Sequence, residues 1–137
     1  MNLEIKKLTL KNYARFPSFE VDFTRKTIIS GKNGLGKTTL ANAIFNVLFM
    51  GKNMDGSKAD RHRPHDSNGY ELNKEPVTAT LVIAIDGKEH TITRSECQKW
   101  VKHRGRLEPE FEGNTTSYLV DDVPMQESQY KRWLDNL

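Results

Sequence analysis

The chain has 137 residues, enough for one domain with a buried core, since 36% of them are hydrophobic. Charged residues make up 28%, mean hydropathy is −0.70, and no apolar run approaches a membrane span, so contact with a membrane is not expected. A net charge of +3 favours a polyanionic partner only mildly, and the single Cys97 excludes an internal disulfide framework. That cysteine use suits a reducing cytoplasm, and Met1-Asn2-Leu3-Glu4-Ile5 lacks a signal-peptide pattern.

Leu3 and Ile5, then Leu8 and Leu10, alternate with polar residues, with a change of parity between the pairs. The pattern predicts one strand with a bulge or bend near Lys6-Lys7. Phe19, Val21 and Phe23 predict a second strand, separated from the first by Pro17. Lys26-Thr27-Ile28-Ile29-Ser30 is a short β-branched run and reads as a buried strand. Leu40, Ala43, Ile44, Val47 and Leu48 then fall on one face of a helix, with Gly51 as its stop.

Residues 51–76 are polar and without periodicity, which predicts a long loop. Residues 77–120 predict antiparallel strands. Val77, Ala79, Leu81, Ile83 and Ile85 alternate, Asp86-Gly87 is a favoured hairpin dipeptide, and Lys88 to Arg94 returns. Ser95 to Gly105 is basic and weakly patterned. Leu107–Phe111 and Thr116–Val120 read as a second hairpin around Glu112-Gly113-Asn114. Within 125–137, Tyr130, Trp133, Leu134 and Leu137 predict an amphipathic helix. Residues 1–50 carry the first strands and the first helix, and the whole reads as a single, partial domain.

Gly31-Lys32-Asn33-Gly34-Leu35-Gly36-Lys37-Thr38-Thr39 is a complete phosphate-binding loop, G-x-x-x-x-G-K-[ST]. Glycines let the backbone curl until successive N–H groups point at one anion. Lys37 adds a cation for the β- and γ-phosphates, and the Thr38 hydroxyl is placed to ligate Mg²⁺. The helix that follows directs its positive end at the same phosphates. With glycine at ordinary frequency, chance gives this pattern in roughly one chain of this length in two hundred. The predicted context of strand, glycine loop and helix is the arrangement the motif requires.

Leu8-Thr9-Leu10-Lys11-Asn12-Tyr13, Phe19-Glu20-Val21-Asp22-Phe23, and Ile29 through Ile44 with its Asn33-Gly34 pair resemble the start of an SMC/SbcC/RecF-type ATPase. The later strands, the Val120-Asp121-Asp122-Val123 turn and the last helix resemble the SbcC-like repair branch. The resemblance implies an α/β fold: the N-terminal lobe of an ABC-type ATPase head, with a P-loop strand and helix and flanking antiparallel strands. It implies ATP and Mg²⁺ as cofactors. Gly31, Asn33, Gly34, Leu35, Gly36, Lys37, Thr38 and Thr39 would form the nucleotide site, with Thr39 at the α-phosphate. Lys37 would be the catalytic cation. Arg15, four residues past Lys11, would lie near the nucleotide.

In that family two halves of a head lie at opposite ends of a long chain, separated by a coiled coil. The resemblance therefore implies four partners: the C-terminal half of the same head, a second head in a homodimer, DNA and a metal-dependent nuclease. The Q-loop glutamine, signature motif, Walker B carboxylates and coiled-coil heptads do not appear in these residues. Hydrolysis would need that missing half, and the isolated chain is expected to be nearly inactive.

Rival readings attach to particular residues. Leu81 to Asp86 mimics a Walker B strand and would make a compact, self-sufficient NTPase or kinase using Asp86. The alternation, Gly87 after the Asp and the immediately returning strand favour a hairpin instead. A non-hydrolysing nucleotide- or DNA-binding module is the other alternative. Arg94, Lys99, Lys102, Arg104 and Arg106, with Trp100 among them, form a segment that reads either as a backbone-tracking surface or as a solvated face. Arg61-His62-Arg63-Pro64-His65-Asp66 reads as a solvated loop or, alternatively, a metal or phosphate contact.

Overall fold

Alternation along the central strands builds the fold. The computed structural model describes residues 2–13, 16–24, 27, 37–52 and 76–137. The expected strand over 26–30, apart from Thr27, lies outside them, as do Gly31–Gly36, Arg15 and residues 53–75 of the polar segment. In chain order the elements are β1 (Leu3–Tyr13), β2 (Phe16–Asp22), α1 (Lys37–Leu48), β3 (Val77–Ile85), β4 (Lys88–Val101), β5 (Glu110–Val120), β6 (Val123–Met125) and α2 (Glu127–Asp135). The strands form one six-stranded sheet in the order β2-β1-β3-β4-β5-β6. Every pairing in it is antiparallel.

One face of this sheet is the core face. Leu8 and Leu10 of β1, Leu81 and Ile83 of β3, and Ile92 of β4 are fully buried there. Leu3 and Ile5 pack against the same cluster. Side chains two apart share a face, so Ile5 and Leu8 can do so only if one residue is extra. The register of β1 on β3 shifts between Ile5 and Lys7, which supplies it. On the other face, hydroxyls pair across strands, Thr78 with Ser95 at 3.1 Å and Thr80 with Thr93 at 3.3 Å. The two helices cover the core face, α1 on β3 and β4 and α2 on β5 and β6.

Asp86 and Gly87 join β3 to β4, both at positive φ (49° and 85°). A two-residue turn of that handedness matches the twist of the strands it connects. The Asp86 carboxylate accepts the Asn2 N–H at 2.7 Å. The expected second hairpin around Gly113 is absent. Instead β5 runs unbroken through Glu112-Gly113-Asn114 and pairs with a 14-residue β4 that includes most of the basic segment. The weak alternation there reflects a register shift between Gln98 and Trp100. Pro17 lies inside β2, on the edge of the sheet, where a missing donor is tolerated.

α1 is tied to its surroundings near its C-terminal end. Leu40, Ala43 and Val47 are buried on the sheet, and Asn46 is buried beside them. Its carbonyl oxygen accepts the Tyr13 hydroxyl, and its amide donates to the Lys52 carbonyl at 2.8 Å. The Tyr130 hydroxyl of α2 donates to the Val47 carbonyl at 2.6 Å, and its ring stacks on Tyr118 at 4.3 Å. Burial pushes the Tyr13 phenol up to about 12 and the Tyr130 phenol higher still. The helix stops as Met50 and Gly51 turn left-handed, with the Gly51 N–H on the Asn46 carbonyl at 2.8 Å. A Cβ at Gly51 would stand 2.8 Å from a guanidinium nitrogen of Arg94.

The β5–β6 turn places Asp121 and Asp122 at positive φ (51° and 66°). Non-glycine residues there are held by neighbours. The Asp121 carboxylate bonds His90 Nδ1 at 2.7 Å and accepts the Thr91 N–H at 2.9 Å. These bonds hold its carboxyl below the usual carboxylate range. The His90 ring meets Trp133 of α2 edge-on at 5.6 Å.

Two outcomes follow for stability. Asn46→Ala removes the acceptor of the Tyr13 hydroxyl and the donor to the Lys52 carbonyl, so urea unfolding should show a loss of about 2–3 kcal/mol. Tyr13→Phe should cost much less in that background than alone, because the two groups are coupled. Asp121→Asn keeps the turn geometry and removes the charge. The folded carboxyl is depressed, so its contribution is present above the ordinary carboxyl range near pH 4 and vanishes below it. Thermal unfolding should find the wild type more stable at neutral pH, by less than about 1 kcal/mol since the group is exposed. The gap should close as the pH falls towards 2.

Candidate functional site

The phosphate-loop motif ends in α1, and its last three residues are described. Lys37, Thr38 and Thr39 form the first turn of the helix. A helix leaves its first four N–H groups without intrahelical partners, and its dipole makes that end positive. The first turn of α1 contains no acidic residue to oppose an anion. Thr38 is exposed, and Lys37 and Thr39 are half-buried. The end of the helix therefore presents N–H donors, an ammonium group and a solvent-accessible hydroxyl together. That donor set fits a magnesium-bound polyphosphate: Lys37 for charge and Thr38 for the cation. Gly31, Asn33, Gly34, Leu35, Gly36 and Arg15, the other residues expected at the site, lie outside the described residues.

The rigidity of this end comes from the other. The buried Asn46, the Tyr130–Val47 bond and the Gly51–Arg94 approach all lie in the last turn of α1 or just beyond it. A 12-residue helix spans about 18 Å. Fixing its C-terminal half on the sheet fixes where Lys37 and Thr38 stand. Sequence reasoning missed these supports. Asn46 does sit between Ala43 and Val47 on the apolar face, and that position was the available signal.

Arg94 behaves differently from its place in a basic run. Its side chain is only 15% exposed and points to the core face, with a terminal nitrogen 3.9 Å from Glu96. Its Nε is buried without a hydrogen-bond acceptor among the described residues. It packs beside the end of α1, where a cation offsets the negative end of the helix dipole. Lys99, Lys102, Arg104 and Arg106 are exposed. Arg106 faces Glu110 at 3.5 Å and His103 faces Glu112 at 2.5 Å, so the run is partly neutralised in space. Trp100 is half-buried and donates its indole N–H to Gln98 at 3.0 Å.

Asp86 has no Walker B geometry. Its strand is antiparallel to both neighbours, and the residue sits in an exposed hairpin turn bonded to Asn2. A cleft of about 550 Å³ opens where the start of β1 meets Phe23, Thr24 and Thr27. Lys6 at its wall is paired with Glu4 at 2.8 Å, so among the described residues lining the cleft no cation stands unopposed. No helix among the described residues is long and apolar enough to cross a membrane.

Comparison with known proteins gives a consistent answer. A family model described as an AAA domain matches residues 7–130. The chain is 31% identical over 121 residues to a DNA double-strand break repair Rad50 ATPase of Nanoarchaeum equitans (strain Kin4-M). That alignment covers 88% of this chain and 13% of the relative, so the chain spans only a small part of that protein's length. Among solved structures, the SMC head domain from Thermotoga maritima superimposes with a TM-score of 0.60 at 21% identity, covering 96% of this chain and 41% of that one. The ATP complex of the recombination mediator RecF of the RecFOR pathway gives 0.59 at 18% identity, covering 93% and 30%. These two likenesses establish the fold. The family match over residues 7–130 places this chain in the AAA domain family, and its fold is that of the N-terminal part of the SMC and RecF structures.

Proposed function

We propose that the chain is the ATP-binding N-terminal segment of a DNA repair or recombination ATPase. The observation that carries the reading is the phosphate-loop motif running into the N-terminus of α1, a helix held by its far end on an antiparallel sheet. Gly31 through Thr39 would cradle the phosphates with backbone N–H groups. Lys37 would face the β- and γ-phosphates, Thr38 would ligate Mg²⁺, and Thr39 would bond the α-phosphate. Arg15 would reach the nucleotide from beyond β1. Bound Mg²⁺ would neutralise phosphate charge, and the chain's own residues orient and hold.

Hydrolysis needs an acceptor that positions the attacking water. Asp86, turned into a hairpin, does not serve. The C-terminal half of the same head would supply that group, and a second head would complete the site. DNA is the proposed polyanion, a metal-dependent nuclease subunit the proposed partner, and the cytoplasm the proposed location. The named relatives support this reading: a repair ATPase and a recombination mediator bound to ATP.

Isothermal titration tests the assignment. Wild type should bind Mg·ATP, and Lys37→Ala should weaken binding by a factor of ten or more, since charge-assisted contacts to phosphate contribute about 1.5–3 kcal/mol. Asp86→Asn should leave the affinity unchanged. Phosphate release by the wild-type chain should stay near that of Lys37→Ala. Robust turnover abolished by both substitutions would replace this reading with a compact NTPase.

A further inference from the structure

The loop end of the β4–β5 hairpin gathers three metal-ligating side chains that the proposed nucleotide site does not use. Glu110 and Glu112 are two apart on β5 and so project from the same face. His103 lies in the connection after β4, whose turn is closed by the Arg106 N–H on the His103 carbonyl at 3.1 Å. One donor atom from each of His103, Glu110 and Glu112 lies within 4.8 Å of the others. His103 Nε2 stands 2.5 Å from Glu112 Oε1 and 4.0 Å from Glu110 Oε2.

We propose that His103, Glu110 and Glu112 form a binding site for a divalent transition metal, Zn²⁺ first, that clips the end of this hairpin. One imidazole nitrogen carries one proton and satisfies one carboxylate. Here two carboxylates converge on that nitrogen, and the Glu110 oxygen lies beyond hydrogen-bond reach of it. Arg106 approaches the other oxygen of Glu110, Oε1, at 3.5 Å. It therefore orients the carboxylate with Oε2 towards His103, as an outer partner of a metal ligand does.

Tetrahedral Zn²⁺ with imidazole and carboxylate ligands needs donors about 3.3–3.6 Å apart, given its bond lengths. The observed separations of 2.5 and 4.0 Å bracket that value. All three side chains are exposed, so rotations of roughly an ångström suffice while the strand register stays fixed. An imidazole with two carboxylates suits zinc, whereas Mg²⁺ prefers an all-oxygen octahedron. The fourth position would be left to water.

The test is calorimetric titration of ZnCl₂ into the chelator-stripped 137-residue chain, with MgCl₂ in parallel. One equivalent of Zn²⁺ should bind, and His103→Ala and Glu112→Gln should each weaken it by at least about tenfold. Zn²⁺ should raise the melting temperature of the wild type and not of either variant. Mg²⁺ should do neither. Absence of zinc binding, or binding left intact in both variants, would overturn the proposal and leave the cluster as ion pairs alone.

Discussion

A buried carboxamide sets the position of α1, the helix proposed to meet the phosphates. Asn46 sits in the apolar face of α1 and is 1% exposed. An unpaired amide there would cost more than the hydrogen bonds it makes in the fold gain. Both ends are paired, one to Tyr13 of β1 and one to the Lys52 carbonyl just past the helix. The apolar contacts of Leu40, Ala43 and Val47 would tolerate sliding by small amounts. The carboxamide does not, because its partners stand in fixed directions. Tyr130 adds a bond from α2 and Arg94 a close approach from β4. Three elements thus converge on the last turn of one helix, and the first turn carries the chemistry.

The antiparallel sheet is the platform for this arrangement. Its core face is apolar from β1 through β5 apart from Arg94 and His90 of β4, and its central strands are long enough to carry both helices. The sheet excludes catalysis by Asp86 on topological grounds. A carboxylate in a two-residue turn between antiparallel strands is committed to the turn, and here it closes on the backbone of Asn2. On the proposed reading, nucleotide binding and water activation are separable. The donors proposed for the first belong to one motif that runs into one helix end, and Asp86 is not placed to act in the second.

Where periodicity was strong, the elements were legible in the sequence. The parity change between Ile5 and Leu8 forecast the bulge, the Asp86-Gly87 pair forecast the hairpin, and Tyr130, Trp133 and Leu134 forecast α2. The long pairing of β4 with β5 was hidden. Its far half alternates poorly because the register shifts at Gln98, and Gly113 looked like a turn although the strand passes through it. Arg94 was hidden in a different way. A run of basic residues suggests a surface, yet strand alternation puts Arg94 on the core face two residues after Ile92. For the proposed site, the motif points to Lys37, Thr38 and Thr39, which the fold puts in the first turn of α1. The buried polar supports of α1 carry no motif, since any hydrogen-bonding residue at the right three-dimensional position would serve.

The central claim is that nucleotide binds where the phosphate loop meets α1. Backbone amide shifts of the isotope-labelled chain on addition of Mg·ATP test it most directly. The account predicts that the largest changes fall on residues 31–39, with Asp86 and Gly87 unaffected. Changes centred on the Asn2–Lys6 and Phe23–Thr27 cleft, or on the Asp86 turn, would contradict it.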